Sequence, residues 1–257
     1  MMVNQVIIQA RMGSTRLPGK VLLPLYGRPV LEWVVRRCEA AYQVSRAVVA
    51  TSELAEDDAI VEWCNNNGVA CVRGSSDDVL ARFLRTVELF PCDNVVRITA
   101  DCPLVDPGII DSLLALHLET GADYSSNEVP PTFPVGFDTE VIKTDVLNKI
   151  GSLATLKSHR EHVTLYVREN TADFKIVNLD STIDGRKMRL TLDRPEDYQV
   201  LQELMQHLSP VDHLFSYYQV LQVVRKYPEI LRANSGIDQF EGVKKSARGE
   251  NRKLAWE

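Results

Sequence analysis

Apolar positions along the chain change period, and each change marks a switch between strand and helix. Short apolar runs predict buried strands over residues 5–8, 47–51, 69–72 and 94–99. Between them the spacing is helical. Over 30–41, Val30, Leu31, Val34, Val35 and Cys38 share one side while Arg36 and Arg37 lie outside it. A second helix is predicted over 56–67, closed by Gly68 as a C-cap, and a third over 77–89 with Val79, Leu80, Phe83, Leu84 and Val87 on one face. Asp106 before Pro107 predicts the N-cap and first position of a fourth. This βαβαβ order predicts an α/β fold, a mostly parallel sheet between two layers of helices. The second half is less regular. Strands are predicted over 124–127, 137–142, 174–178 and 188–192, and helices over 144–150, 159–170, 195–207 and 216–227. Pro130, Pro131 and Pro134 make 129–134 an irregular loop. Residues 1–235 read as a single domain and 236–257 as a polar C-terminal tail, with no repeat and no linker between units.

Composition narrows the classes. Of 257 residues, 45% are hydrophobic and 25% charged, as in an ordinary soluble protein. A net charge of −6 argues against general nucleic-acid binding, so any basic function must be local. Five cysteines without a CxxC pair speak against a disulfide framework or zinc site and for a reducing compartment. The N-terminal apolar run is cut short by Arg11, and no stretch nears the roughly 20 apolar residues of a membrane span. A cytoplasmic protein is expected.

Local charge appears at once. Residues 9–20, QARMGSTRLPGK, hold Arg11, Arg16 and Lys20 with no acid among them, and they leave the first strand where parallel sheets gather ligands. Glycine lets backbone N–H groups approach phosphate oxygens and the cations neutralise them. Neither GxxxxGK[ST] nor GxGxxG is present. The other reading is a solvated loop whose arginines pair with acids elsewhere. Asp101, just past the fourth strand, suits a hard cation such as Mg²⁺ carrying phosphates, or else an ordinary turn before Pro103. Asp193 ends another strand, but with Glu196 three residues on it also forms a capping-box pattern worth ~1 kcal/mol. Asp138 and Glu140, two apart on a predicted strand, share a face that either holds substrate or meets water. His159 and His162 lie on one side of a predicted helix, without HExxH, and Cys102 reads as packing.

Together the stretches IIQARMGSTRLPGKVLLPLYGRPVLEWVVRR, RITADCPLVDPGIIDSLL, FPVGFDTEVI, REHVTLYVREN and RLTLDRPEDY, in this order, resemble the cytidylyltransferases that activate acidic sugars. The acylneuraminate and 3-deoxy-manno-octulosonate enzymes belong there, and the nearest likeness is to the branch of spore coat polysaccharide biosynthesis protein F. The resemblance implies a three-layer, GT-A-like (Rossmann-like) nucleotidyltransferase fold. It implies that Arg11, Ser14, Arg16 and Lys20 meet the triphosphate of CTP, with Ala10, Met12, Gly13, Thr99 and Ala100 lining the nucleotide site. Asp101 and Asp193 are then the Mg²⁺ ligands, and Arg11 and Lys20 join them in catalysis. Asp138, Glu140, Arg160 and His162 become acceptor-side candidates. The implied reaction moves CMP from CTP to an acidic sugar or related acceptor, releasing pyrophosphate, in surface polysaccharide biosynthesis. The implied partners are small molecules, with a homodimer possible. The alternatives are another NTP, a phosphate or phosphonate acceptor, a glycosyltransferase-like nucleotide-sugar binder, or a non-catalytic nucleotide-binding subunit. One departure stands out: Thr164 occupies the position of a family glycine in HVTLY.

Overall fold

The computed structural model describes residues 2–208, 214–238 and 241–253. In chain order its elements are β1 (Asn4–Gln9), β2 (Pro24–Leu25), β3 (Arg28–Pro29), α1 (Val30–Glu39), β4 (Arg46–Ser52), α2 (Asp58–Asn66), β5 (Ala70–Gly74), α3 (Val79–Leu89), β6 (Asn94–Thr99) and α4 (Pro107–Thr120). There follow β7 (Tyr124–Ser126), β8 (Glu140–Lys143), α5 (Thr144–Leu153), α6 (Lys157–Glu161), α7 (Leu165–Glu169), β9 (Ile176–Asn178), α8 (Pro195–Leu208), α9 (Tyr217–Lys226) and α10 (Glu241–Gly249). Seven strands form one sheet in the order β5-β4-β1-β6-β8-β7-β9. Only β8 runs against its neighbours.

Alternation within β1 builds the layers. Val6 and Ile8 pack on one side with residues of α1, α2 and α4, while Ile7 packs on the other with residues of α3 and α5. The helices α8 and α9 close a further apolar cluster against Trp33 of α1. Asp106 caps α4 as expected, accepting from the Ile109 N–H at 3.0 Å, and Gly121 ends that helix at φ +63°. Register does the work of placement: Gln9 stands opposite Thr99, and the Ala100 N–H donates to the Gln9 carbonyl at 2.9 Å. The loops after β1 and β6 therefore leave the sheet side by side.

Three predicted elements and one predicted cap differ. The strand at 137–142 starts only at Glu140, because Gly136 at φ +108° and a turn from Phe137 to Pro134 bend the chain first. Asp138 and Glu140 thus do not share a strand face. The helix at 159–170 is broken into α6 and α7 at Val163, which sits at φ +45°. Residues 188–192 join no sheet strand; they make an isolated bridge, Val135 to Arg189, with Leu190 N–H donating to Val135 at 2.7 Å. The capping box of Asp193 and Glu196 does not form. Instead the Asp197 carboxylate accepts from the Asp193 and Arg194 N–H groups, both at 3.0 Å. Part of the polar C-terminal segment is helical: α10 packs beside α6, with Ala247 and Val243 against Leu165.

Candidate active site

The cation loop is held from below. Asp57, fully buried, accepts from the Met12 N–H at 2.6 Å and from the Ser52 N–H at 3.1 Å. Gly13 lies against the end of the exposed Glu56 side chain, whose Oε1 would have to shift to admit a Cβ there. Gly19 turns the chain at φ +68° and starts a 3₁₀ turn whose first residue is Lys20. That turn aims Lys20 back across the sheet edge. Its ammonium donates to Asp101 Oδ2 at 2.6 Å and to Asp193 Oδ1 at 2.7 Å. Two aspartates separated by 92 positions thus converge on one point.

The convergence is rigid. The Thr99 hydroxyl donates to Asp101 Oδ1 at 2.5 Å, and the Leu192 N–H donates to the Asp101 carbonyl at 2.8 Å, tying the two acidic loops together. Arg16 reaches Asp193 Oδ1 at 3.2 Å, and Arg189 donates to Asp193 Oδ2 at 3.0 Å while forking onto Asp197. Burial would raise the Asp193 carboxyl, but Lys20 first, then Arg16 and Arg189, hold it down at about 2. Burial likewise opposes the Lys20 charge, and the two aspartates outweigh it, so Lys20 titrates above its ordinary range. Arg11, Gly13, Ser14, Arg16, Lys20, Thr99, Ala100, Asp101 and Asp193 all line one cavity of about 200 Å³. Ala10 and Met12 lie beneath it, Ala10 buried in the apolar core and Met12 packed against that core.

A second cavity of about 290 Å³ adjoins the first, sharing Arg16, Thr99 and Asp193. Asp138 and His162 line it; Glu140 does not, lying below with 1% exposure. Antiparallel register sets Glu140 opposite Arg97, and the two are ion-paired. Tyr124 donates to Glu140 at 2.6 Å, and so does the Thr164 hydroxyl. Thr164 thus ties the break between α6 and α7 to Glu140. Arg160 turns elsewhere, forking onto Asp78 at 2.6 and 2.9 Å and donating to the Gly151 carbonyl at 2.9 Å. Burial drives His162 down to about 4 and leaves it neutral, with Nε2 2.9 Å from the Ser246 hydroxyl of α10. Burial pushes Glu128 up to about 8 although Arg168 lies 3.2 Å away.

Sequence reasoning missed Asp57, Arg97, Glu128, Arg168, Arg189 and Glu241. A lone arginine inside an apolar run, as in NVVRIT and MRLTL, was a readable signal for Arg97 and Arg189. Glu241 carried none. It accepts from Arg16 at 2.9 Å and from Arg194 at 2.9 Å through both oxygens, across more than forty residues of sequence.

The donor set suits a hard divalent cation. Two carboxylates face one point beside a cationic loop, leaving other positions for phosphate oxygens and water. No group of three or more metal-ligating side chains is assembled among the described residues. A Rossmann-like, mostly parallel sheet carries this clamp where the loops after β1 and β6 leave it side by side.

Comparison with known proteins narrows the class. The signature of the family described as cytidylyltransferase matches residues 5–225. An uncharacterised protein of Methanocaldococcus jannaschii is 37% identical over 235 residues, covering 91% of this chain and 95% of its own. Spore coat polysaccharide biosynthesis protein SpsF of Bacillus subtilis is 38% identical over 207 residues, covering 78% and 85%. The solved structure of a cytidylyltransferase from Leptospira borgpetersenii superposes with a TM-score of 0.87 at 36% identity, covering 93% of this chain and all of that one. The chain belongs to the cytidylyltransferase family. No helix among its described residues is long and apolar enough to cross a membrane.

Proposed function

We propose that the protein transfers CMP from CTP to an acidic sugar or related small acceptor and releases pyrophosphate, in the making of a surface polysaccharide. The observation that carries this is the convergence of Lys20, Asp101 and Asp193 in a cavity rich in cations, which adjoins through Asp193 a second cavity lined by acids and arginines together. The cationic loop receives the triphosphate. Arg11, Arg16 and Lys20 neutralise the charge that grows on departing pyrophosphate, in a site already organised before the reaction begins. Mg²⁺ held by Asp101 and Asp193 would withdraw charge from the α-phosphate. The second cavity holds the acceptor so that its oxygen faces the α-phosphorus, and positioning supplies much of the rate. The pathway reading draws on the likeness to SpsF.

Thermal shift against CTP, UTP, ATP and GTP with Mg²⁺ tests base choice, since a bound nucleotide raises Tm by mass action. CTP is expected to give the largest rise. A pyrophosphate-release assay with CTP and a panel of acidic sugars and phosphorylated acceptors tests the chemistry. Equal shifts for all four nucleotides, or no pyrophosphate with any acceptor, would remove this reading.

A further inference from the structure

The clamp and the acceptor cavity meet at Arg16, Thr99 and Asp193, so bond formation to phosphorus belongs at that boundary. Five acids line the acceptor cavity. Four have a cationic side chain within 3.2 Å: Glu128 faces Arg168, Asp193 faces Lys20, Asp238 faces Lys244, and Glu241 faces Arg194. The fifth, Asp138, has no ion-pair partner among the described residues. Its Oδ2 accepts from the Gly136 N–H at 3.0 Å, and its other oxygen takes no hydrogen bond from a described residue. This placement is built with care. Gly136 sits at φ +108° with its α-carbon packed so tightly that a Cβ would lie 2.4 Å from the Leu190 carbonyl oxygen. The bridge between Val135 and Arg189 locks that segment to the one that carries Asp193. The turn before β8 therefore fixes Asp138 relative to the clamp, on its acceptor side.

We propose that Asp138 is a catalytic residue of this chain: its free oxygen accepts the hydrogen bond of the attacking hydroxyl and takes the proton as that oxygen bonds to the α-phosphorus. The acceptor O–H bond breaks to Asp138, the bond from the α-phosphorus to the bridging oxygen breaks, and pyrophosphate leaves with the electron pair. Burial, with Asp101 and Glu140 nearby and Arg168 opposing them, raises the Asp138 carboxyl to about 6, where it both accepts a proton and releases it near neutral pH. The inference rests on the nucleotidyl-transfer reading and sharpens its substrate class. A phosphate or phosphonate oxygen brings charge and no proton, and would meet an unpaired carboxylate. The acceptor attacks through a hydroxyl.

The test is pyrophosphate release with CTP and Mg²⁺ against four probes: 3-deoxy-manno-octulosonate and N-acetylneuraminate as hydroxyl acceptors, glucose 1-phosphate and 2-aminoethylphosphonate as oxyanion acceptors. Turnover is expected with a hydroxyl probe. Asp138→Asn should then lower kcat by about 100-fold or more, with KM for CTP and the CTP-induced rise in Tm unchanged, and Asp138→Glu should recover part of the loss. Retention of kcat within about threefold in Asp138→Asn, loss of the CTP-induced Tm rise in that variant, or turnover with oxyanion probes alone would overturn the assignment. Wild-type protein that releases no pyrophosphate with any probe would instead sink the transfer reading, and this inference with it.

Discussion

The two adjoining cavities are built on opposite principles. The first is lined by one short loop whose cations face two carboxylates from distant parts of the chain, and its polar groups are aimed by backbone turns. The second rests on a buried ionic lattice in which Arg97, Arg168, Glu128, Glu140, Tyr124 and Thr164 hold one another. Their titration differs accordingly. Asp193 is driven down to about 2, whereas Glu128 is driven up to about 8. The first cavity keeps Asp193 ionised by surrounding it with cations. A dry pocket crowded with acids keeps some of them neutral.

The largest way to break this comparison is Asp101→Asn. It removes one of the two carboxylates while leaving the Thr99 contact and the backbone tie to Leu192 in place. Turnover is expected to fall by about 10³-fold with the fold intact, read by pyrophosphate release and by circular dichroism. Wild-type-like turnover would take Asp101 out of the mechanism. Next comes Gly136→Ala, which acts on the acceptor side through the backbone alone. Positive φ and the contact with Leu190 should together cost about 3 kcal/mol, a drop of about 10 °C in Tm. An unchanged Tm would show that the turn before β8 is soft.

Glu128→Gln sharpens the electrostatic contrast. The folded-state pKa lies above that of the unfolded chain, so between pH 4.5 and 8 the unfolded state releases a proton that the native state keeps. Stability from this group therefore falls as pH rises through that window. The glutamine variant should gain Tm relative to wild type as pH rises toward 8 and nothing at pH 4.5, measured by scanning across pH. Loss of Tm at pH 8 would show that Glu128 is ionised and paired to Arg168. The smallest effect belongs to Glu241→Gln, which weakens the exposed contact of α10 with Arg16 and Arg194. KM for CTP should change by less than about fivefold, as expected of an exposed pair. A larger change would make α10 part of the nucleotide site.

Legibility followed the same divide. The strands and helices of the first half were readable because burial on both faces of a parallel sheet imposes apolar runs, and caps such as Asp106-Pro107 and Gly68 announce helix ends. The cationic character of residues 9–20 and their place after the first strand were readable from composition and position. In the second half the hydrophobic signal failed where polar groups were buried. Arg97 and Glu140 satisfy one another across a strand pair, and neither looks like a core residue alone. The helix break at Val163 is enforced by Thr164 gripping Glu140, a contact between positions 24 apart.

Sequence by itself determined the α/β class, the cationic loop at the end of β1, and the family whose motifs run in order through the chain. It also raised Asp101 and Asp193, but could not decide between ligand and cap for Asp193. Tertiary structure removed the cap with Glu196, since Asp197 takes the Asp193 and Arg194 N–H groups, and it turned the Asp193 side chain toward Lys20. It also separated Asp138 from Glu140, leaving one on the cavity wall and burying the other beneath it. The reason is physical: periodicity and turn chemistry act within a few residues, whereas the pairing of buried charges depends on which distant strand lies alongside.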